Sequence, residues 1–534
     1  MKPSMWSLIA GALIWGTALT ASAQAQAGDG RVPVTAARCA ALGGGTAGGL
    51  TVRDARFVAA GPLSTGQAGS NGAAPPPVAA PGHCLIEGAI EPRTGADGEH
   101  YAINVQLRVP ADWNGRLMYQ GGGGLNGTVG VAYGANTSLG ATAPSALSRG
   151  FAVVTTDSGH TGSQVGKADF ARDQEAKLNY AYKAIGKVTT AAKATLERLA
   201  GAVPDRSYYV GCSTGGREAL IAAQRYPLMF DGVAAGNPAF DLSRAALLAH
   251  YSTRQYRAAN VTEADLRMVG QAAVRQCDPL DGRKDGMIFD RGRCAFSPRT
   301  LQCASGNSAQ CLTKEKVDAI ERAFRGPVDG DGRPLFAPWT YDAGVGDPGW
   351  MVWQTGELAG LSDEIISRYY SFPPLTPGEL ERLDYVRAYD RMEATAAITD
   401  ATSTDFSTFR ARGGKVLIAT GLSDPIFAPD DLVRWYEKLD ADTRAAGGGA
   451  GAADFARLFL VPGMMHCGGG PGLDDFDALG ALVDWVEKGR APSSMVARGA
   501  AVPGESRPIC AYPAHAVFRA GGGRDAGDYE CRRP

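Results

Sequence analysis

Short apolar runs alternate with helical patterns along most of the chain. Six runs end in turn-rich segments, as buried parallel strands do. They are "RLMYQGGGG", "GFAVVTTDSGH", "RSYYVGCSTGG", "GVAAGNPAF", "KVLIATGLSD" and "ARLFLVPGMMHC". Between them, segments such as "LNYAYKAIGKVTTAAKATLERLAG" and "FDALGALVDWVEKG" place apolar residues at helical spacing. This alternation predicts an α/β protein built on a mostly parallel sheet.

The alternation lapses between about residues 240 and 402. This stretch holds four cysteines, many Asp and Gly residues, and the aromatic-rich segment "FAPWTYDAGVGDPGWMVWQTG". The strand pattern then resumes at "KVLIATG". We therefore expect core segments at 28–239 and 403–534, with 240–402 inserted as a lid domain over the C-terminal strand edge. An independent second domain is the alternative.

The N-terminus has the pattern of an export signal. Lys2 supplies a positive start, Met5–Leu19 is apolar, and Ala21-Ser22-Ala23 offers small-residue cleavage positions. A membrane anchor is the alternative, but the apolar run is shorter than the roughly 20 residues that span a bilayer. We expect residues 1–27 to be a signal peptide, and the protein to be secreted or periplasmic.

The charge of the chain limits the kinds of binding partner it can have. The net charge is −2 with no basic block, which argues against nucleic acid or an anionic membrane as a partner.

The cysteine count indicates disulfide bonds. Ten cysteines follow the signal, and in an exported protein this even number predicts up to five disulfides. No C-x-x-C pair occurs, so a zinc ribbon is disfavoured.

The segment "YYVGCSTGGREAL" contains the G-x-S-x-G pattern of a nucleophilic serine, with Ser213 at its centre. A chance match is a real alternative in a chain with 71 glycines. The order of strand, turn and helix around the pattern nevertheless matches the nucleophile turn of an α/β-hydrolase. We predict that Ser213 is a catalytic nucleophile.

That fold places an acid and then a histidine after the serine. Three histidines follow Ser213: His250, His466 and His515. His466 comes directly after a predicted strand, where a catalytic loop is expected. Asp424 ends the preceding predicted strand and is the expected acid. Asp430 and Asp431 are the fallback choices.

Acyl transfer also needs donors for the oxyanion that forms on the substrate carbonyl. The backbone N–H of Thr214 is one candidate, because it follows the nucleophile. The second is expected from the loop "YQGGGGLNG", at Gly123 or Gly124. A phosphate-binding loop is disfavoured because no G-K-[ST] follows these glycines.

The segment "CDPLDGRKDGMIFD" brings Asp278, Asp281 and Asp285 close together on a chain bent by two Asp-Gly turns. Hard oxygen ligands of this kind suit Ca²⁺. The spacing differs from that of an EF-hand, and an exposed acidic turn is the alternative.

These features together resemble the tannase and feruloyl esterase family of secreted serine hydrolases, which includes bacterial hydrolases of mono(2-hydroxyethyl) terephthalate. The most specific elements are the pair Cys212-Ser213 and His466-Cys467, the loop "QGGGG" and the Asp after "TGLS". The resemblance implies an α/β-hydrolase core with an inserted lid, a triad of Ser213, Asp424 and His466, and no organic cofactor.

The resemblance also implies a structural Ca²⁺ and a disulfide pattern. The calcium ligands would be Asp278, Asp281, the carbonyl of Arg283, Asp285 and the carbonyl of Met287. The implied disulfides are Cys39–Cys84, Cys212–Cys467, Cys277–Cys294, Cys303–Cys311 and Cys510–Cys531.

The expected function is hydrolysis of aromatic-acid esters of feruloyl or galloyl type through an acyl-enzyme. The substrate would be a small aromatic ester, free or attached to a polysaccharide or polyphenol; the natural ester and the oligomeric state stay open. Lid tryptophans Trp339, Trp350 and Trp353 would either clamp the acyl group or form lid core.

Two alternatives remain. One is hydrolysis of mono(2-hydroxyethyl) terephthalate, whose carboxylate calls for a lid arginine such as Arg368, Arg382 or Arg387. The other, from a different class, is a calcium-stabilised extracellular binding module with an inactive hydrolase fold. The presence of Ser, Asp, His and the glycine loop together argues against that module.

Overall fold

The computed structural model describes residues 30–66, 77–304, 310–500, 502–519 and 521–534. The predicted signal peptide, residues 1–27, lies outside these described residues. Within the described ranges, every helix falls short of the length and apolar character that crossing a bilayer demands.

Ten strands form one central sheet, and three small two-stranded sheets lie beside it. The strands are β1 (Thr46–Ala47), β2 (Leu50–Val58), β3 (Gly61–Leu63), β4 (Val78–Ala80), β5 (His83–Thr94), β6 (His100–Pro110), β7 (Arg116–Gln120), β8 (Ala152–Thr156), β9 (Arg206–Cys212), β10 (Gly232–Gly236), β11 (Lys415–Gly421), β12 (Ala456–Val461), β13 (Ser494–Ala497), β14 (Arg507–Cys510), β15 (His515–Phe518) and β16 (Tyr529–Arg532).

The central sheet has the order β1-β2-β5-β6-β8-β7-β9-β10-β11-β12. All pairings from β8 to β12 are parallel, whereas those from β1 to β8 are antiparallel. The six predicted runs are β7, β8, β9, β10, β11 and β12, which make up the whole parallel half of the sheet. The carboxyl ends of these strands therefore share one edge, where α/β proteins carry their ligands.

Helices cover the sheet and fill the connections between its parallel strands. They are α1 (Ala36–Ala40), α2 (Gln174–Leu178), α3 (Ala184–Ala200), α4 (Thr214–Arg225), α5 (Leu242–Ala258), α6 (Glu263–Cys277), α7 (Lys314–Arg325), α8 (Pro348–Gln354), α9 (Leu361–Glu364), α10 (Pro377–Glu381), α11 (Tyr385–Thr399), α12 (Ser407–Ala411), α13 (Pro429–Ala445) and α14 (Ala478–Lys488). Two π-helical stretches, Asn179–Lys183 and Ile365–Tyr370, continue α2 and α9.

Both faces of the parallel strands are buried. Successive side chains point to opposite faces, so Tyr209 and Ile418 pack in one apolar cluster with α3, α4 and α13. Their neighbours Tyr208 and Leu417 pack in a second cluster, together with α14. This two-sided burial explains why the strands read as continuous apolar runs in the sequence.

Residues 240–402, which we call the helical insertion, enter the chain between the adjacent strands β10 and β11. The insertion contains α5 to α11. A third apolar cluster joins its buried Trp350 and Tyr369 to Leu125 and Tyr180 of the preceding segment. The Tyr180 and Tyr369 rings meet edge to face at 5.1 Å. Because core and insertion share one apolar cluster, the insertion is packed as part of the same body.

Two buried carboxyls mark the points where the insertion leaves and rejoins the core. Asp241 and Asp400 lie next to the backbone hydrogen bond from the Ala401 amide to the Phe240 carbonyl, 2.6 Å long. Ser243 Oγ lies 2.6 Å from Asp400 Oδ2 and 3.2 Å from Asp241 Oδ1. Burial, followed by the charge of Asp241, raises the pKa of Asp400 to about 7.

The raised pKa of Asp400 predicts a pH-dependent stability. The folded state binds the Asp400 proton more tightly than the unfolded chain, whose Asp has a pKa near 3.9. The penalty for ionising Asp400 therefore grows from about pH 4 to about pH 7 and is constant above. The Asp400→Asn variant has no such ionisation penalty. Its unfolding midpoint should therefore rise relative to that of the wild type as the pH increases from about 4 to about 7.

Thermal unfolding of both proteins at pH 4.5, 6 and 7.5 measures the difference. Asp390→Asn, an exposed position on α11, is the matched control and should follow the wild-type profile. Parallel profiles for wild type and Asp400→Asn would show that Asp400 does not titrate between folded and unfolded states.

Candidate active site

Ser213 lies on the tight turn between β9 and α4, with φ 61° and ψ −125°. A non-glycine residue in this region is strained and needs support from its surroundings. The Ser213 amide donates to the Gly236 carbonyl at 2.9 Å, and the Ser213 carbonyl accepts from the amides of Arg217 and Ala239, both at 3.0 Å. These bonds hold the serine at the carboxyl end of β9, as the sequence predicted.

The glycine loop, residues 121–127, packs directly against this turn. The Gly215 amide donates to the Gly122 carbonyl at 3.0 Å, and a Cβ on Gly215 would lie only 2.7 Å from that oxygen. Gly215, the second glycine of the G-x-S-x-G pattern, is therefore required because the backbones of α4 and the glycine loop approach each other so closely.

The predicted oxyanion residues meet at this contact. Gly124 has φ +53°, and its carbonyl accepts hydrogen bonds from the Thr214 hydroxyl and, at 3.1 Å, from the Tyr180 hydroxyl. In the described part of the chain, the amides of Thr214, Gly123 and Gly124 donate to no other group. Backbone donors without a protein partner are what a developing oxyanion requires.

Asp424 and His466 are hydrogen-bonded at the same edge of the sheet. Asp424 follows β11 and His466 follows β12, and His466 Nδ1 lies 3.0 Å from Asp424 Oδ2. An ionised carboxylate only accepts, so Nδ1 carries the proton and Nε2 keeps a free lone pair. Asp424 is fully buried, and its Oδ1 accepts the amides of Ile426 and Phe427 at 2.8 and 3.2 Å.

The remaining candidate acids and histidines lie in other contacts. Asp430 pairs with Arg291, and Asp431 accepts the Ala337 amide. His250 Nδ1 contacts the Tyr385 hydroxyl inside the insertion, and His515 lies 3.6 Å from Asp290.

All five disulfides implied by the resemblance are bonded in the structure: Cys39–Cys84, Cys212–Cys467, Cys277–Cys294, Cys303–Cys311 and Cys510–Cys531. The Cys212–Cys467 bond holds its two Cα atoms 5.9 Å apart, and each cysteine adjoins Ser213 or His466. The Ser213 hydroxyl forms no hydrogen bond to His466 or to another described residue. Such bonds often tighten only when substrate binds.

Asn237 also holds Asp424 in place, and it was not predicted from the sequence. It follows β10, is fully buried, and donates from Nδ2 to Asp424 Oδ2 at 2.7 Å. The only available signal was its position, a polar residue directly after the apolar run "GVAAG".

Asp342 in the insertion is a second residue that the sequence did not reveal. Its Oδ2 accepts from the Ser423 hydroxyl and from the Gly463 amide, both at 2.7 Å. Ser423 precedes Asp424, and Gly463 lies three positions before His466, so this buried carboxyl joins the Asp424 and His466 loops to the insertion. Nothing distinguishes Asp342 from the other loop acids in the sequence.

Aromatic rings border His466. The rings of Trp353 and Phe427 meet the imidazole edge to face, with centroids 5.9 and 5.2 Å away. Trp339 and Trp350, by contrast, are buried in the third apolar cluster. Of the three tryptophans considered, Trp353 is the one at the candidate site, and the other two form core.

The three lid arginines differ in their surroundings. Arg368 pairs with Asp169 and with Glu364. Arg387 is 89% exposed and lies 3.6 Å from Asp384, and Arg382 is exposed.

The acidic segment, residues 277–290, presents several oxygen atoms that could hold Ca²⁺. Asp281 Oδ2 and Asp285 Oδ1 are buried and have no hydrogen-bond partner among the described residues, and burial raises the pKa of Asp281 to about 7. The Arg283 and Met287 carbonyls accept no hydrogen bond from another described amide. These unpartnered oxygens fit a hard cation.

Some of the proposed calcium ligands already have hydrogen-bond partners. Both oxygens of Asp278 accept amides, and Asp285 Oδ2 accepts from the buried Arg507 at 2.9 Å. Across the described ranges, no three His, Cys, Asp or Glu side chains form a metal-sized group, so a cation here would need the backbone carbonyls as well. The contact with Arg507 also places the segment against the C-terminal part of the chain, beyond the insertion itself.

Comparison with known proteins agrees with this geometry. The family model for tannase and feruloyl esterase matches residues 84–532. The chain is 36% identical over 511 residues to the mono(2-hydroxyethyl) terephthalate hydrolase of Piscinibacter sakaiensis, covering 83% of each chain. It is 27% identical over 462 residues to a probable feruloyl esterase of Arthroderma benhamiae, covering 81% of this chain and 82% of the relative.

A solved structure gives the same result for the fold. Feruloyl esterase B from Aspergillus oryzae superposes with a TM-score of 0.77 at 26% identity, covering 91% of this chain and 97% of that one. The expected α/β-hydrolase core with a large insertion is therefore confirmed. With a family match over most of its length and a site built at the same strand ends, this chain belongs to the tannase and feruloyl esterase family and is an ester hydrolase of aromatic substrates.

Proposed function

We propose that the protein hydrolyses esters of aromatic acids through an acyl-enzyme, with Ser213 as nucleophile, His466 as general base and Asp424 as the group that orients the imidazole. The observation that carries this proposal is the hydrogen bond from His466 Nδ1 to buried Asp424, 3.0 Å long. It leaves Nε2 free to accept the serine proton, on a loop joined to the serine turn by the Cys212–Cys467 bond.

Ser213 Oγ attacks the ester carbonyl carbon as His466 Nε2 takes its proton. The oxyanion accepts from the amides of Thr214 and of Gly123 or Gly124. Collapse of this intermediate breaks the bond to the alcohol oxygen, which takes the proton from His466. Water, deprotonated by His466 Nε2, then attacks the acyl carbon. The bond to Ser213 Oγ breaks, Oγ takes the proton back from His466, and the aromatic acid leaves.

The acid side of the substrate is an aromatic acyl group of feruloyl or galloyl type. Trp353 and Phe427 support this assignment, because both rings adjoin the catalytic histidine and aromatic pairs favour edge-to-face and offset contacts. The ester is small, either free or attached to a polysaccharide or polyphenol.

Mono(2-hydroxyethyl) terephthalate is the second candidate substrate. It is favoured by the 36% identity to the bacterial relative named for that activity. Its free carboxylate needs a cation in the pocket. Arg368 is already paired with Asp169 and Glu364, and Arg382 and Arg387 are exposed. None of the three is both buried and free to pair with that carboxylate, which favours the uncharged feruloyl and galloyl rings.

Two further proposals concern a bound calcium ion and the cellular location of the enzyme. Ca²⁺ stabilises the segment closed by the Cys277–Cys294 bond, with Asp278, Asp281 and Asp285 and the carbonyls of Arg283 and Met287 as ligands. Asp281 Oδ2 and Asp285 Oδ1, which are buried and have no hydrogen-bond partner among the described residues, would then be satisfied by a hard cation. The protein works outside the cytoplasm, a proposal that the predicted export signal and the five disulfides support.

Ser213→Ala should abolish hydrolysis of methyl ferulate, lowering kcat by about 10⁴-fold or more because the nucleophile is absent. A fluorophosphonate probe should label the wild type at Ser213 and leave the variant unlabelled. Ser403→Ala, at an exposed position, is the control and should keep full turnover. Wild-type turnover in Ser213→Ala would refute the nucleophile, and an unlabelled wild-type protein would favour an inactive binding module.

Three esters of one alcohol decide the substrate class. The 2-hydroxyethyl esters of ferulic, gallic and terephthalic acid share their leaving group and differ in the aromatic acyl group, and the terephthalate monoester alone carries a free carboxylate. We expect kcat/KM to be about 10-fold or more higher for the ferulate or gallate ester, because neither brings a free carboxylate that the site would have to pair. The reverse order would establish the terephthalate monoester as the substrate.

Removal of Ca²⁺ should destabilise the fold. Incubation with EGTA is expected to lower the melting temperature by about 5 °C, since a ligand bound only to the folded state stabilises it. Added Ca²⁺ should restore the value. Asp281→Asn should melt at the same temperature with and without EGTA, whereas Asp331→Asn, in an exposed acidic turn, should behave as wild type. An EGTA-insensitive wild type would argue against the ion.

A further inference from the structure

Glu218 is a buried carboxylate on α4, five positions after Ser213, and the proposed chemistry gives it no role. Only 3% of its surface is exposed. A carboxylate in such a place is stable only if hydrogen bonds replace its lost hydration. Four donors surround it, and their origin indicates what Glu218 does.

Two of the four donors come from the glycine loop. The Gly122 amide donates to Oε2 at 3.4 Å, and Asn126 Nδ2 donates to Oε1 at 2.9 Å. These residues lie on either side of Gly123 and Gly124, the candidate oxyanion donors. The loop is also closed internally by the Asn126 amide, which donates to the Gly123 carbonyl at 2.8 Å.

The other two donors come from the sheet. The Tyr209 hydroxyl on β9 donates to Oε2 at 2.7 Å, and the Ser158 hydroxyl, just after β8, donates to Oε1 at 3.2 Å. Glu218 thus joins the loop to two strands and to the helix whose first amide belongs to Thr214. The helix that presents one oxyanion donor therefore also holds the loop that presents the other.

We propose that Glu218 is a positioning residue that sets the distance between the Thr214 amide and the amides of Gly123 and Gly124. The inference rests on the proposed serine mechanism and deepens it. Charge-assisted hydrogen bonds are about twice as strong as neutral ones, and such rigid support keeps oxyanion donors in place before the transition state forms.

Glu218→Ala should lower kcat by about 10- to 100-fold with KM nearly unchanged. This loss is smaller than the roughly 100- to 1000-fold cost of deleting one oxyanion donor, because the amides are displaced and not removed. Asn126→Gly tests the loop side alone. Asn126 has φ 49°, which glycine adopts without strain, so the variant should show the same split between kcat and KM.

Glu218→Gln is the conservative rescue. Its carbonyl oxygen can still accept from Gly122 and Tyr209, while its amide can donate to Asn126 Oδ1, a buried atom that has no partner in the described structure. We expect this variant to recover most of the kcat lost in Glu218→Ala. Tyr208→Phe, which removes the neighbouring hydroxyl from its 2.7 Å contact with Glu487, is the stability control and should keep the wild-type kcat.

A thionoester analogue of the best substrate separates positioning from a general loss of structure. Sulfur is a weaker hydrogen-bond acceptor than oxygen, so the thionoester benefits less from the oxyanion donors. In Glu218→Ala and Asn126→Gly, the ratio of ester to thionoester turnover should fall by about the same factor as kcat. If Glu218→Ala does not fold, Asn126→Gly carries the same measurement, with wild type as the reference.

An unchanged ester-to-thionoester ratio in folded variants would overturn the positioning role, as would wild-type kcat in both Glu218→Ala and Asn126→Gly. These outcomes are distinct from failure of the proposed mechanism. In that case Ser213→Ala itself would retain turnover, whatever the Glu218 variants do.

Discussion

The covalent bond between Cys212 and Cys467 is the constraint on which the candidate site depends. It joins loops 255 residues apart in the chain, one carrying Ser213 and the other His466. Both loops bend through the left-handed region, with φ 61° at Ser213 and 59° at Cys467. Strain of this kind persists only where the surroundings over-determine the backbone. The crosslink supplies part of that support and keeps Ser213 and His466 on one edge of the sheet.

The insertion is a structural component of the site. Asp342 bonds to both the Asp424 and the His466 loops, and Trp353 adjoins the imidazole. Further back, the fully buried Arg217 of α4 donates to the carbonyls of Tyr180 and Thr399, so α4 is tied to the end of α11. The insertion therefore contacts α4 and the Asp424 and His466 loops through buried polar groups, which are costly to leave unpaired.

Local patterns were sufficient to locate the parallel strands and the three candidate catalytic residues. Ser213, Asp424 and His466 each follow an apolar run, and parallel strands bring such positions to one edge. Asn237, Asp342 and Glu218 were not found in this way. In its local sequence each of them looks like an ordinary polar residue. Each forms at least one hydrogen bond to a residue 92 or more positions away in the chain, and only the folded structure reveals that bond. The tryptophans illustrate the same limit, because sequence could not separate Trp353 from the buried Trp339 and Trp350.

The α/β class, the place of the insertion and the family of the chain were all predictable from the amino-acid sequence, because periodicity, turn residues and short motifs are encoded locally. The disulfide pairing came from the resemblance and is matched by the bonded pairs in the structure. The folded structure was needed to show which carboxylate meets His466, which ring borders it, and which buried acid supports the glycine loop. Those contacts depend on packing between distant segments, and the Cys212–Cys467 disulfide can form only once the sheet has brought its two loops together.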